Sequence, residues 1–537
     1  MRQMEVLDMR EEGIQGSFNV TDRIFSPWDR DDAEHRAAIY YRDDIWSYRR
    51  LIDEINRVGN GLRQMGVQRE SRILLIGYDS PFLVATLFGA MKIGVVPIPV
   101  NTNLPPEDYL YYLKDSRAQA LVVEPEIWAN IAGVVGKESS DLKWVMILPG
   151  LNEASVRPQG YPGPIVFYQD WIQTWDRTLQ AVQTSRDDMA FWLYSSGSTG
   201  RPKGAVHCHK DMLFTNRIYA QNVLRIQEYD RLYSASKLYF AYGMGNGSYF
   251  AFANGASVIL VPDKVEAAQV LATIDRMRPT LFFGVPTLFN AMLRVQGEYS
   301  FATVRNCISA GEPLPSEIYS RWEKRFGVEI IDGIGSTELL HIYISNRPGQ
   351  SKPGVTGRIV DGYEAKIVDE NGYKVDVGTI GDLMVKGDST AAFYWNQSDK
   401  TRASMIGEWF RTGDKFSMDA DGYLYYAGRS DDMIKVGGIW VSPVEVENAL
   451  LMHPAVVEAA VVGVPDTAGL LKPVAFVILE ANAAPSNELK DEIREQLRSN
   501  LAHYKVPRTI YFVSELPKTA SGKIQRYRLR ISLQEVD

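Results

Sequence analysis

From about residue 70 to residue 284, short apolar runs rich in β-branched residues alternate with stretches whose apolar positions recur every three to four residues, and this alternation most narrows the fold. Arg72-Ile-Leu-Leu-Ile-Gly77 reads as a strand, Phe82 to Met91 as a helix, and Val95-Val-Pro-Ile-Pro-Val100 as the next strand. The rhythm returns at Ala120-Leu-Val-Val123, at Ser257-Val-Ile-Leu-Val261 before a helix over Lys264 to Met277, and at Thr280-Leu-Phe-Phe-Gly284. Strands separated by helices pair in parallel, so the expected class is α/β with largely parallel sheets. No fixed-period repeat or low-complexity tract interrupts the pattern.

A chain of 537 residues exceeds what one core ordinarily serves, and several lobes are expected. After about residue 350 the texture changes to glycine-punctuated alternation, as in Ala365-Lys-Ile-Val-Asp369, Gly381-Asp-Leu-Met-Val-Lys386 and Tyr423-Leu-Tyr-Tyr426, which predicts a small antiparallel β region. Gly428-Arg-Ser-Asp-Asp432 marks the expected boundary. Residues 1–430 form a large N-terminal domain of α/β subdomains plus the small β region, and residues 431–537 a small C-terminal α+β domain. In the latter, Ser442 to Met452 and Glu488 to Leu501 read as helices, and Val456 to Val464 and Pro473 to Leu479 as strands.

With 58 Lys and Arg against 66 Asp and Glu, the net charge of −8 gives no global basic field, so nucleic acid and anionic membrane are not expected partners. Only Cys208 and Cys307 occur, which excludes a disulfide framework or a cysteine metal site and fits a reducing cytoplasm. The N-terminal sequence lacks the order of a signal peptide, no apolar run approaches the ~20 residues that span a bilayer, and the last residues are not a peroxisomal signal. A cytosolic protein is expected.

One loop points to chemistry. Tyr194-Ser-Ser-Gly-Ser-Thr-Gly-Arg-Pro-Lys-Gly204 follows the apolar run Met189-Ala-Phe-Trp-Leu193 and combines glycines, hydroxyls and a lysine. Glycines let backbone N–H groups close around an anion, hydroxyls add donors and Lys203 adds charge. It is not a Walker A loop: five residues after Gly197 stands Pro202, and Lys203 is followed by Gly204 rather than by Ser or Thr. A different nucleotide chemistry is indicated.

Five further segments accompany the loop: Ala310-Gly-Glu-Pro-Leu-Pro315, Asp332-Gly-Ile-Gly-Ser-Thr-Glu338, Trp409-Phe-Arg-Thr-Gly-Asp414, Gly428-Arg-Ser-Asp-Asp-Met-Ile-Lys435 with Gly437 and Gly438, and Leu516-Pro-Lys-Thr-Ala-Ser-Gly-Lys523. Each alone is weak, since an isolated lysine is ordinarily solvated and an acid beside glycine ordinarily marks a turn. Together and in this order, from about residue 35 to about residue 530, they resemble the adenylate-forming superfamily of acyl-CoA synthetases, adenylation domains and luciferases.

The resemblance implies two steps with ATP, Mg2+ and coenzyme A: a carboxylate attacks the α-phosphate to give an acyl-adenylate, and a thiol then displaces AMP. By resemblance Ser196, Ser198, Thr199 and Lys203 form the phosphate loop, Thr337 is an α-phosphate donor, and Glu338 is the magnesium ligand. Gly311, Glu312, Pro313, Asp332, Gly333, Ile334, Gly335 and Ser336 fall in the nucleotide motifs; Asp414 resembles the ribose-hydroxyl acceptor, with Arg429 nearby. Ile334 departs from the pattern, because the family commonly has an aromatic residue there to stack on adenine. Lys523 resembles the lysine of the first half-reaction, and Asp431 the hinge about which a mobile C-terminal domain swings to bring in Lys435, Gly437 and Gly438 for a pantetheine arm.

Selectivity for the acid is expected in Ser236-Lys-Leu-Tyr-Phe-Ala-Tyr-Gly-Met-Gly-Asn246, Phe282-Phe-Gly-Val-Pro-Thr287 and Leu339-Leu-His-Ile-Tyr343, where aromatic walls alternate with small residues. These segments resemble the benzoate-CoA ligase family, including its hydroxybenzoate members. That resemblance puts Phe240 at a gate, Ala241, Tyr242, Leu340, His341 and Ile342 around an aryl ring, and Gly284 in the second of these segments. His207 and His209 make an H-x-H pair, but two ligands without a third do not make a metal site. The competing readings are an adenylation enzyme that loads a carrier protein, against which stands a chain that stops about fifteen residues after Lys523, and a ligand-binding relative without catalysis, against which stand Lys523, Glu338 and Asp414. The expected partners are an aryl carboxylate and coenzyme A; a homodimer is left open.

Overall fold

The computed structural model describes residues 17–138, 141–150, 161–195, 201–436, 439–465, 471–518 and 524–534. The chain divides into two compact units, one of residues 1–265, 337–341 and 388–401, the other of residues 266–336, 342–387 and 402–537.

The first unit contains the expected parallel sheet, with strands in the order Val96–Pro99, Arg72–Ile76, Ala120–Val123, Trp144–Ile147 and Ile165–Phe167. A second group pairs Arg231–Ser234, Ser257–Leu260 and Ala37–Tyr41 in parallel, with Asp44–Ser47 antiparallel beside Ala37–Tyr41. Helix Pro81–Lys92 shows why its sequence is apolar on every side: it is buried along nearly its whole length. Ser80 starts it by accepting the Leu83 N–H at 3.2 Å, and Pro81 occupies the first turn, where no amide hydrogen bond is lost. Its one charge, Lys92, donates to the Asn56 amide oxygen at 2.7 Å.

An antiparallel hairpin of Met189–Ser195 and Lys203–Cys208 flanks the glycine-rich loop. Trp192 and Val206 anchor it in the same apolar core as Leu74, Ile98, Leu121 and Val145 of the parallel sheet. Strand Phe393–Tyr394 then adds to the free side of Lys203–Cys208, with Tyr394 opposite Ala205.

In the second unit, Leu281–Gly284, Asn306–Ser309 and Ile330–Gly335 run parallel, followed by antiparallel Ile342–Ser345 and Arg358–Ile359. The predicted β region is a five-stranded antiparallel sheet built on Gly381–Lys386 and the long strand Trp409–Met418. Residues beyond 430 have a core of their own, in which Ile434, Val446, Leu450, Val461, Val477, Ile493 and Ile510 meet. Ser442 and Ser486 cap helices Pro443–Leu451 and Asn487–Asn500. Helix Ala267–Met277 starts three residues later than its periodicity suggests, because Glu266 is extended (φ −127°, ψ 134°). Among the described residues no helix is long and apolar enough to cross a membrane.

Helix Tyr48–Gln64 and helix Pro81–Lys92 approach closely through glycine. A Cβ on Gly89 would lie 2.8 Å from the Ile55 carbonyl oxygen and 2.8 Å from Val58 Cγ1. Backbone cannot yield as a side-chain tip can, so Gly89→Ala is expected to cost about 1–3 kcal/mol of unfolding free energy. Chemical denaturation measures this, and an unchanged midpoint would show the helices separable at no cost.

Candidate active site

Two strands and one irregular segment bring the charged groups together. Lys203 begins the return strand of the hairpin, Tyr394 lies on the strand added beside it, and residues 337–341 form a 3-10 turn, Thr337–Leu339, followed by Leu340 in the left-handed region (φ 68°). Left-handed backbone in a branched residue costs about 1–2 kcal/mol and persists only where neighbours hold it. The holders are visible: the Thr337 carbonyl lies 2.8 Å from His207 Nε2, the Glu338 carbonyl accepts the Ala391 N–H at 2.7 Å, and the Leu339 carbonyl accepts the Ser389 hydroxyl at 2.9 Å.

Glu338 is 7% exposed. Its Oε1 accepts from the Tyr394 hydroxyl at 2.8 Å and the Ser195 hydroxyl at 3.1 Å, and the Lys203 ammonium stands 3.2 Å away. Lys203 also donates to the Tyr394 hydroxyl at 2.7 Å. Burial alone would raise the Glu338 carboxyl, but the Lys203 charge and the Tyr394 hydroxyl outweigh it and hold the group below the usual glutamate range. The carboxylate therefore stays ionised. Among the described residues no group of three or more His, Cys, Asp or Glu could by itself hold a metal ion.

Three residues beyond Glu338 the same segment delivers His341 into an aromatic cluster. Its ring centroid lies 4.5 Å from that of Phe250, 5.3 Å from Tyr219 and 5.5 Å from Tyr242, and Nε2 is 3.1 Å from Asn246 Oδ1. Gly245 makes room, because a Cβ there would sit 2.6 Å from His341 Cδ2. Burial drives the His341 pKa down to about 3, so the ring is neutral at working pH. Phe240 precedes helix Ala241–Met244, which carries Ala241 and Tyr242; Leu340 is fully buried.

The second unit carries the remaining predicted positions that are described. Gly284 ends strand Leu281–Gly284 against the rings of Phe282 and Phe289, and Ile342 opens strand Ile342–Ser345. Gly311 needs its glycine (φ 92°), and the Glu312 carboxylate accepts the Thr287 N–H at 3.3 Å; Pro313 follows directly. Asp332, Gly333, Ile334 and Gly335 lie on strand Ile330–Gly335, with Ser336 next. Burial lifts the Asp332 carboxyl well above the usual range, and its Oδ1 has no hydrogen-bond partner among the described residues. Asp414 and Arg429 face each other on paired strands, Nη1 to Oδ1 at 3.0 Å. The Asp431 carbonyl accepts from Arg530 at 3.5 Å, and Lys435 sits 5.0 Å from the Trp440 ring centre. Ser196, Ser198, Thr199, Gly437, Gly438 and Lys523 lie outside the described residues.

Tyr394 and Ser195 were missed in the sequence. Tyr394 is 191 positions from Lys203 and follows no motif, so only the strand pairing reveals it.

Residues 27–395 match the AMP-binding enzyme family and residues 445–523 the AMP-binding enzyme C-terminal domain. The chain is 44% identical to benzoate–CoA ligase of Thauera aromatica, over 91% of this chain and 92% of that protein. It is 41% identical to 4-hydroxybenzoate–CoA/benzoate–CoA ligase of Rhodopseudomonas palustris, over 90% of this chain and 88% of that protein. The solved structure of the anthranilate CoA ligase AuaEII in complex with anthranoyl-AMP superposes with a TM-score of 0.91 at 41% identity, covering 97% of this chain and 98% of that one.

Two outcomes follow from the geometry. Tyr394→Phe removes a donor to the buried carboxylate and an acceptor for Lys203, a loss of about 1.5–3 kcal/mol for a bond to a charged group. Steady-state kinetics should show kcat/KM for ATP down by about tenfold or more, with KM for the organic acid little changed; equal kinetics would remove Tyr394 from the site. The second concerns pH. His341 binds its proton at about 3 in the folded chain against 6.5 unfolded, so the stability of the neutral ring is complete above pH 6.5 and is lost as pH falls toward 3. Buried His209, lowered to about 4, adds to the same trend. Unfolding midpoints should fall across this window, and His341→Gln should flatten the fall; an equal slope in the variant would contradict the assignment.

Proposed function

The chain belongs to the AMP-binding enzyme family, and from that membership we infer that it is an ATP-dependent aryl-CoA ligase, which converts benzoate or a hydroxybenzoate with ATP and coenzyme A to the aryl-CoA, AMP and diphosphate. The observation that carries the reading is the segment Thr337 to His341, which presents an ionised carboxylate beside Lys203 at one end and a neutral, ring-packed imidazole at the other. A site for phosphate charge thus adjoins one suited to a flat apolar ring.

In the first half-reaction an oxygen of the aryl carboxylate attacks the α-phosphorus; an O–P bond forms and the bond to diphosphate breaks. Negative charge builds on the phosphoryl oxygens, where the Lys203 ammonium, the Thr337 hydroxyl and the loop hydroxyls of Ser196, Ser198 and Thr199 are assigned as donors. Glu338 is assigned as the protein ligand of Mg2+, which supplies charge neutralisation on the phosphates when bound. Lys523 is assigned the mobile cation of this step. Asp414, steadied by Arg429, is assigned to the ribose hydroxyls, and residues 311–313 and 332–336 to the rest of the nucleotide, with Ile334 giving apolar contact in place of stacking.

In the second half-reaction the thiolate of coenzyme A attacks the carbonyl carbon; a C–S bond forms and the C–O bond to AMP breaks. Rotation of residues 431–537 about Asp431 is assigned to exchange Lys523 for Lys435 and the Gly437-Gly438 pair, where absence of a Cβ admits the pantetheine arm.

Selectivity for an aryl acid has a physical basis. A rigid ring loses almost no torsional freedom on entering a slot walled by Tyr242 and His341, whereas an alkyl chain must be ordered and fills such walls poorly. AMP release with ATP and coenzyme A should favour benzoate or a monohydroxybenzoate over octanoate by about two orders of magnitude in kcat/KM. Octanoate equal to the best aryl acid would refute the aryl assignment.

A further inference from the structure

On the proposed reaction, we propose that Asp211 and His207 are positioning residues for adenylation: a buried pair that fastens the Thr337 carbonyl to the hairpin bearing Lys203. Both side chains are fully buried. His207 Nδ1 lies 2.7 Å from Asp211 Oδ2, and His207 Nε2 lies 2.8 Å from the Thr337 carbonyl oxygen. Each ring nitrogen faces an oxygen, a carboxylate on one side and a backbone carbonyl on the other, so the ring is gripped at both ends. Charge-assisted hydrogen bonds of this kind are shorter and stronger than neutral ones.

The placement gives the pair its purpose. Residues i, i+2 and i+4 of a strand share a face, so Lys203 and His207 project from the same side of strand Lys203–Cys208. Lys203 reaches the Glu338 carboxylate at 3.2 Å, and His207 reaches the carbonyl of the preceding residue. The segment they grip is neither regular helix nor regular strand, and left-handed Leu340 stores strain within it. Fixing the Thr337 carbonyl sets the place of the Thr337 hydroxyl and of the Glu338 side chain relative to Lys203. The other end is equally well fixed: Asp211 Oδ2 also accepts the Cys208 N–H at 3.0 Å, capping helix His209–Thr215, and Phe191 stacks on the His207 ring at 5.2 Å. A pair serving packing alone would not need an acceptor on the reactive segment.

The test uses the full-length chain. His207→Phe combined with Asp211→Asn keeps a flat ring against Phe191 and an acceptor for the Cys208 N–H, but removes the donor to Thr337. Misplacement of reacting groups by an ångström or less costs up to about a hundredfold, so adenylation measured by ATP–diphosphate exchange should fall about thirtyfold or more. KM for the aryl acid and thioester formation from supplied aroyl-adenylate should stay within about twofold. His207→Gln, whose amide can donate to Thr337, should recover most of the loss. Calorimetric titration of a non-hydrolysable ATP analogue with Mg2+ should show about tenfold weaker binding to the double variant. Unchanged exchange and unchanged nucleotide affinity in the folded double variant would overturn the proposal, as would an equal fall in both half-reactions. If the double variant does not fold, His207→Met combined with Asp211→Asn, which likewise lacks a donor to Thr337, carries the same comparison. If wild-type protein adenylates no aryl acid, the proposed function fails, and the titration alone decides the role of His207.

Discussion

The contact between Lys203 and Glu338 organises the first unit. A carboxylate on a residue 7% exposed would take up a proton unless a cation and hydrogen-bond donors met it, and here the ammonium, the Tyr394 hydroxyl and the Ser195 hydroxyl converge on one oxygen. Such pairs are poor value as stabilisers, since desolvation consumes most of the attraction, while removing one partner costs about 3–5 kcal/mol. Their presence points to use. In the proposed reaction each partner gains a new one: phosphate oxygens for Lys203 and the magnesium ion for Glu338. Within the pair each charge compensates the other.

The second constraint is the strained backbone between Glu338 and His341. The carbonyls of Thr337, Glu338 and Leu339 find partners in His207, Ala391 and Ser389 instead of a regular ladder, and Leu340 turns through the left-handed region. These partners come from the hairpin and from residues 388–401, so the core that anchors Trp192 and Val206 also locates the ionised carboxylate. The neutral His341 ring closes the aromatic cluster without adding charge. Organic acid and phosphate sites thus share one short segment in the proposed function.

The parallel sheet was legible because the buried strands that carry Leu74, Ile98 and Leu121 write themselves as β-branched and leucine-rich runs, with helix Pro81–Lys92 between. The glycine- and hydroxyl-rich segment Tyr194 to Gly204 and the Thr337-Glu338 motif carried the family resemblance, and the chain belongs to the AMP-binding enzyme family. What could not be read was pairing across long separations: nothing in Ala392-Phe-Tyr-Trp-Asn396 announces that Tyr394 will stand between Lys203 and Glu338. The H-x-H pair suggested a metal that two ligands cannot hold, and the structure separates the two. His207 remains on the strand and meets Thr337, whereas His209 begins a helix and accepts the Val20 N–H at 3.2 Å. A change from strand to helix between adjacent residues redirects side chains that sequence spacing would put on one face. Leu340 likewise carries no local sign of its left-handed backbone, which its neighbours impose.

In the proposed reaction Glu338 is kept ionised to receive the divalent cation that accompanies ATP. Binding of Mn2+, a paramagnetic substitute for Mg2+, to protein loaded with a non-hydrolysable ATP analogue measures this directly by electron paramagnetic resonance. Wild-type protein should bind Mn2+ at least about tenfold more tightly than Glu338→Gln, a difference of about 1.4 kcal/mol. Equal Mn2+ affinity in the two proteins would contradict the account.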